Sequence, residues 1–134
     1  MQAIPFLSLR RNFHHPGYLL LAFMAVVWFS LTAQGDGTVT SCTESNLDYA
    51  LAGGGTVTFT CNGTINITTT KLIYYDTVFD GSGHTVTING QNSVQLFNVN
   101  SGVNLTLLNL TLADGKTTTN GGAIYNEGTL IASN

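Results

Sequence analysis

Residues 56–67 read Thr-Val-Thr-Phe-Thr-Cys-Asn-Gly-Thr-Ile-Asn-Ile, two runs in which a small polar residue alternates with an apolar one. The alternation returns at residues 85–88, 104–107 and 129–131. Successive side chains of a β-strand point to opposite faces, so each copy predicts a short strand with one buried face. Turn residues, mostly Asn, Asp and Gly, separate the copies. Short strands repeated in this way are typical of a stacked solenoid.

The repeated strands predict an all-β fold, a right-handed parallel β-helix of about 3–4 coils with a short N-terminal capping helix. Equivalent positions of successive coils are expected at Ile88, at Leu107 or Leu108, and at Ile131. Strands are expected at residues 56–60 and 64–68 in the first coil, 72–74, 78–79 and 85–89 in the second, 94–100 and 104–112 in the third, and 123–125 and 128–132 in an incomplete fourth. The alternative is a small β-sandwich, for which Asn89-Gly90 is a hairpin signal.

Residues 1–35 have the parts of a secretory signal peptide. Arg10 and Arg11 precede an apolar run that begins at Tyr18, and small residues follow this run, so cleavage is expected near Ala33 or Gly35. The alternative is an uncleaved membrane anchor, although the run is shorter than the roughly 20 residues that cross a bilayer.

Residues 36–55 are expected to form an N-terminal cap that covers the apolar end of the first coil. A helix is predicted over residues 41–52, because Ser41 and Glu44 have capping-box spacing and glycines follow. Three apolar residues share one face of this helix: Leu47, Ala50 and Leu51. The coils then occupy residues 56–134, where the pattern stops in mid-coil and predicts truncation at the C-terminus.

Charged residues make up only 8% of the chain, against about a quarter in a typical soluble domain. The four basic residues, Arg10, Arg11, Lys71 and Lys116, form no patch, and this argues against a nucleic-acid partner. Cys42 and Cys61 both follow the expected signal, and in an oxidising compartment they predict one disulfide. Two free buried thiols and half of a metal site are the alternatives.

The chain resembles secreted right-handed parallel β-helix proteins of the pectate-lyase-like architecture. It is most similar to bacterial surface proteins with polymorphic outer-membrane-protein repeats, which pair a Gly-Gly-Ala-aliphatic motif with a Phe-x-x-Asn motif. Here the motifs are Gly121-Gly122-Ala123-Ile124 and Phe97-Asn98-Val99-Asn100. The resemblance covers residues 37–134 and implies a secreted or cell-surface protein, extracellular or in the outer membrane, with adhesive or structural roles.

The motif residues also have a purely structural interpretation. Glycines at 121 and 122 would permit a positive φ or a tight bend at a coil corner. Three asparagines, Asn100, Asn109 and Asn126, would stack from coil to coil as a hydrogen-bonding ladder.

Candidate catalytic residues are few. Glycoside hydrolysis needs two carboxylates that converge on one site, and Asp76 with Asp80 is the nearest approach to such a pair. Asp80 is better explained as the first residue of an Asp-Gly-Ser-Gly turn, and His84 as a surface turn residue. The sequence contains no catalytic triad, phosphate loop or zinc spacing, so no cofactor and no metal are expected.

Tyr74, Tyr75 and Tyr125 are the candidate ligand-binding residues. They would offer an aromatic surface for sugars, but adjacent tyrosines in a strand point opposite ways, so one of Tyr74 and Tyr75 is expected inside. The function expected is therefore an exported structural or adhesion-type module with no catalytic site of its own, whose partners are polysaccharide or host and cell-surface components. It would meet a membrane only through the signal segment or a missing C-terminal region. The alternatives are the N-terminal fragment of a polysaccharide lyase or glycoside hydrolase, and a carbohydrate-binding module.

Overall fold

The structure, a computed structural model, describes residues 35–134. The predicted signal peptide lies almost wholly outside these residues and stays a prediction. Within residues 35–134 the chain forms one helix and eleven short strands: β1 (Gly37–Val39), α1 (Glu44–Leu51), β2 (Gly55–Phe59), β3 (Gly63–Asn66), β4 (Lys71–Ile73), β5 (Thr77–Asp80), β6 (Val86–Asn89), β7 (Phe97–Val99), β8 (Asn104–Leu108), β9 (Thr111–Ala113), β10 (Ile124–Asn126) and β11 (Thr129–Ser133).

The strands form three parallel sheets, and each coil contributes one strand to each sheet in turn. The first sheet has the order β1-β2-β5-β8-β11, the second β3-β6-β9 and the third β4-β7-β10. Every pairing is parallel and joins one coil to the next. This confirms a parallel β-helix of about three turns, because a sandwich built from hairpins would pair its strands antiparallel. Asn89-Gly90 makes no hairpin, since the Gly90 amide donates to the Ala113 carbonyl of the next coil.

The predicted equivalence of Ile88, Leu107 or Leu108, and Ile131 is wrong. Ile88 pairs with Leu112 in the second sheet, whereas Leu107 and Leu108 pair with Phe79 and Asp80 in the first. Ile131 also lies in the first sheet, but it pairs with Thr106. The predicted strand over residues 104–112 is two strands of different sheets, separated by Asn109 at a φ of 53°. Alternation with period two marks which side chains point inward, but it does not mark the corner at which the chain changes sheet.

The core is built from columns of apolar residues, one from each coil. In the first sheet Val57, Phe79 and Leu107 occupy the same inward column, and Phe79 lies with its ring centroid 5.3 Å from that of Phe97 in the third sheet. Parallel strands stack about 4.8 Å apart, so each side chain packs on its equivalent in the next coil. The third sheet breaks this pattern at one position, because its inward column runs from Lys71 through Phe97 to Ile124.

Helix α1 covers the start of the first coil, as the sequence predicts. Leu47 and Ala50 are buried and Leu51 is half-buried against the core. The disulfide between Cys42 and Cys61 is confirmed and ties the segment before the helix to the first coil.

The capping-box prediction for this helix is wrong. Thr43 is the N-cap, and its hydroxyl accepts from the Asn46 amide, so Glu44 is the first helical residue and does not reach back to Ser41. Its carboxylate instead accepts hydrogen bonds from Thr68 and Thr69 of the first coil.

The predicted asparagine ladder is also wrong. The Asn109 amide donates to the Ser82 hydroxyl at one corner, whereas the Asn126 side chain closes its own turn with Gly128. Asn126 aligns with Val99 rather than with Asn100. The three side chains therefore belong to different rows of the solenoid.

Candidate functional site

Tyr74 and Tyr75 are both on the surface, with exposed fractions of 55% and 60%. The expectation that one of them lies inside is wrong, because β4 ends at Ile73 and neither tyrosine is part of the strand. Residues 74–76 form a corner instead. The Thr77 hydroxyl donates to the Tyr75 carbonyl at 2.8 Å, and the Gly55 amide donates to the Asp76 carbonyl at 2.9 Å. These bonds hold the corner in a conformation that exposes two adjacent aromatic side chains.

The outward row of the third sheet continues this surface along the solenoid. Leu72, Asn98 and Tyr125 occupy equivalent positions in the three coils. Asn100 and Glu127 immediately follow strands β7 and β10, at positions equivalent to that of Tyr74 after β4. We call the surface formed by Leu72, Tyr74, Tyr75, Asn98, Asn100, Tyr125 and Glu127 the tyrosine face.

The capping helix borders the tyrosine face. Between the helix and the first coil lies a depression of about 280 Å³. One wall comes from the last turns of α1, and the other from β4 and the tyrosine corner. The residues that line it are Asp48, Leu51, Ala52, Thr69, Thr70, Lys71, Leu72, Ile73, Tyr74 and Tyr75. Aromatic rings beside hydroxyl, carboxylate and backbone groups provide apolar contact and hydrogen bonds in one place.

An ion cluster centred on the buried Lys71 supports the floor of this depression. The Nζ atom of Lys71 lies 2.7 Å from Oε1 of Glu44 and 2.6 Å from Oδ1 of Asp48, and the Lys71 side chain is only 4% exposed. Burial raises the pKa of Glu44, but hydrogen bonds from Lys71, Thr68 and Thr69 outweigh it and lower the pKa from 4.5 to about 2. The lysine charge is thus used inside the protein and does not face the solvent.

Tyr125 is the most constrained of the three candidate tyrosines. Its hydroxyl donates to Oε1 of Glu127 at 2.8 Å, and its ring is half-buried in the outward row. The hydrogen bond to Glu127 and the negative charge of that carboxylate raise the pKa of Tyr125. The ring is therefore held at a fixed orientation, and one carboxylate oxygen of Glu127 is already occupied.

The carboxylates considered for catalysis have structural roles instead. Asp76 accepts from the backbone and side-chain amides of Asn104, and Asp80 accepts from the Ser82 amide as the predicted turn requires. These hydrogen bonds lower the pKa of both groups, whereas a general acid needs a raised one. His84 lies in the same turn, half-buried rather than fully on the surface.

The motif residues join one coil to the next. Phe97 is fully buried and pairs with Ile124, and the Ala123 carbonyl accepts from the Leu96 and Phe97 amides. Gly121 has a φ of 66°, as the sequence predicts, and its carbonyl accepts from the Gln95 side chain. Gly122 does not have a positive φ.

Sequence reasoning missed the helix wall and the polar part of the face. From the sequence, Asp48 and Glu127 are expected only as solvated charges, Leu51 only on the apolar face of the cap helix, and Asn98 only within the strand predicted over residues 94–100. Asn98 could be recognised as part of the face only from its alignment with Leu72 and Tyr125 in the neighbouring strands. This alignment depends on the correct register.

No known protein family, no curated protein and no solved structure matches the chain. In the part that the structure describes, no helix has the length and apolar character needed to span a membrane. The same residues contain no group of three or more His, Cys, Asp or Glu side chains placed to hold a metal ion.

Proposed function

We propose that this chain is an exported adhesion-type β-helix module and that its tyrosine face binds saccharide. The observation that carries the proposal is the pair Tyr74 and Tyr75, both more than half exposed at a corner fixed by hydrogen bonds. Tyrosines offer large contact areas with little conformational entropy to lose, which suits them to recognition surfaces. The hydroxyls and amides beside them supply the hydrogen-bonding groups that a sugar needs.

Export is part of the proposal and rests on two features. Residues 1–35 have the pattern of a signal peptide, and the Cys42–Cys61 disulfide fits an oxidising compartment. The finer assignment, to surface proteins with polymorphic outer-membrane-protein repeats of the pectate-lyase-like architecture, rests on residues 97–100 and 121–124. These residues link successive coils, which is the role that such repeats would require. The proposed location is the cell surface or the extracellular space.

A glycan array tests the proposal. The full chain is expected to bind a subset of glycans, and Tyr74→Ala and Tyr75→Ala are each expected to weaken this binding about tenfold or more, as truncation of a central aromatic contact does. Tyr49→Ala is the matched control, because Tyr49 is 87% exposed on the helix but lies outside the tyrosine face. Binding to no glycan, or equal losses in all three variants, would contradict the proposal.

The carboxylates of the coils do not favour the enzyme alternative. Asp76 and Asp80, the carboxylates that suggested glycoside hydrolysis, are both hydrogen-bonded within the coils and have lowered pKa values. Among residues 35–134 no observation favours cleavage over binding.

A further inference from the structure

We infer that the ligand of the tyrosine face is a neutral oligosaccharide, long enough to contact two separated aromatic groups. This inference rests on the proposed function and adds the ligand's charge and minimum length. The charge is inferred from the distribution of ionised groups around the face. The minimum length is inferred from the positions of its tyrosines in the coils.

The solenoid and its cap are strongly acidic. Residues 35–134 contain two lysines and no arginine against seven carboxylates, which leaves a formal charge of −5. Lys116 does not line the depression at the tyrosine face; with Asn92 and Thr117 it lines a neighbouring depression, which shares Thr70 with the first. Lys71 lies at the face but is buried and held by two carboxylates. Among residues 35–134, therefore, no unpaired cation lines the tyrosine face itself.

The carboxylates at the face make acidic ligands unfavourable. Asp48 lines the depression and Glu127 ends the outer row, and both carry negative charge towards the same surface. A uronate or a sulfated sugar would bring like charge to them, which costs binding free energy. Each carboxylate has one oxygen engaged, Oδ1 of Asp48 by Lys71 and Oε1 of Glu127 by Tyr125. The second oxygen of each suits the hydroxyl of a neutral sugar.

The register of the third sheet separates the aromatic groups of the tyrosine face along the solenoid. Leu72, beside Tyr74, belongs to the first coil, and Tyr125 is its equivalent in the third. Two steps of about 4.8 Å place these aromatic groups about 10 Å apart along the solenoid. A single sugar ring does not span this distance. A chain that lies along the solenoid axis contacts both groups, so the two contacts add within one ligand.

Isothermal titration with matched oligosaccharides tests both parts. Cellohexaose, xylohexaose and mannohexaose are the neutral probes, and hexagalacturonate is the acidic one. At least one neutral hexamer is expected to bind about tenfold or more tightly than hexagalacturonate, a difference of about 1.4 kcal/mol. Asp48→Asn/Glu127→Gln is expected to reduce this preference by strengthening the acidic probe, with circular dichroism to establish that the fold is retained.

Tyr125→Ala tests the length. It is expected to weaken binding of the preferred hexamer while leaving the corresponding monosaccharide unchanged, whereas Tyr74→Ala weakens both. Equal or tighter binding of hexagalacturonate would overturn the charge assignment and leave saccharide binding intact. An equal effect of Tyr125→Ala on monosaccharide and hexamer would overturn the length assignment. Failure of every probe to bind would overturn this inference, and failure on the wider array as well would remove the proposed function.

Discussion

The Nζ atom of Lys71 lies 2.7 Å from Oε1 of Glu44, and this pair joins the inward column of the third sheet to the first turn of the capping helix. Lys71 stands where the next two coils have Phe97 and Ile124. A charged residue is tolerated in this column because the helix brings Glu44 and Asp48 to the end of the solenoid. The cap is thus fixed by an ion cluster as well as by apolar packing.

Lys71→Met is expected to lower the free energy of unfolding by about 2–3 kcal/mol, because it leaves Glu44 and Asp48 without their cation. Lys116→Met is the control, since Lys116 is exposed and its replacement is expected to change stability by less than about 0.5 kcal/mol. Urea unfolding followed by circular dichroism measures both. Equal losses in the two variants would show that the cluster does not stabilise the cap.

Stability is expected to fall as the pH is lowered from about 4.5 to about 2. Over this range the unfolded chain takes up a proton at Glu44, whereas the folded protein keeps this carboxylate ionised. The pKa of Glu44 is about 2 in the folded protein and 4.5 ordinarily, so the unfolded chain binds this proton first. The contribution of about 3 kcal/mol is complete above pH 4.5 and is lost as the pH falls through 2.

Glu44→Gln isolates this contribution. The difference in unfolding free energy between the natural chain and this variant is expected to be largest near pH 6 and to shrink towards pH 2. A difference that does not depend on pH would contradict the assignment to Glu44.

Removal of the disulfide by Cys42→Ser/Cys61→Ser is expected to cost about 3 kcal/mol, since the bond closes a loop of about 20 residues in the unfolded chain. The natural chain treated with a reducing agent should match the double variant in its urea midpoint. The same agent should leave the double variant unchanged. A midpoint unaffected by reduction would mean that the helix and the ion cluster hold the cap unaided.

Gly121→Ala is expected to destabilise the protein by about 3 kcal/mol, and Gly102→Ala by about 1–2 kcal/mol. Both glycines have positive φ, at 66° and 78°, so both substitutions impose backbone strain. A Cβ at Gly121 would also overlap the Ile124 carbonyl oxygen, whereas a Cβ at Gly102 meets no atom within 4 Å. Thermal unfolding compares Gly102→Ala, which imposes strain alone, with Gly121→Ala, which adds steric overlap. Similar midpoints would show that the overlap at Gly121 does not destabilise the protein further.

The fold was predictable because its signals are local. Alternation of small polar and apolar residues identified the strands, and Asn and Gly identified the turns between them. The disulfide was predictable on other grounds, because Cys42 and Cys61 both follow the expected signal peptide and would meet an oxidising compartment. The site was only partly predictable. Tyr74 and Tyr75 were recognised as candidates, but their joint exposure depends on a corner that Thr77 and Gly55 hold from neighbouring positions.

The sequence by itself determined that residues 35–134 form short parallel strands behind a helical cap, because periodicity and turn chemistry act within a few residues. Only the tertiary structure decided which residues share a row. The coils differ in length, with Gly55 aligned to Thr77 but Thr77 aligned to Leu105. Corner conformations fix this register. They place Tyr125 in line with Leu72 and bring Glu44 and Asp48 to Lys71, contacts between residues that no local pattern connects.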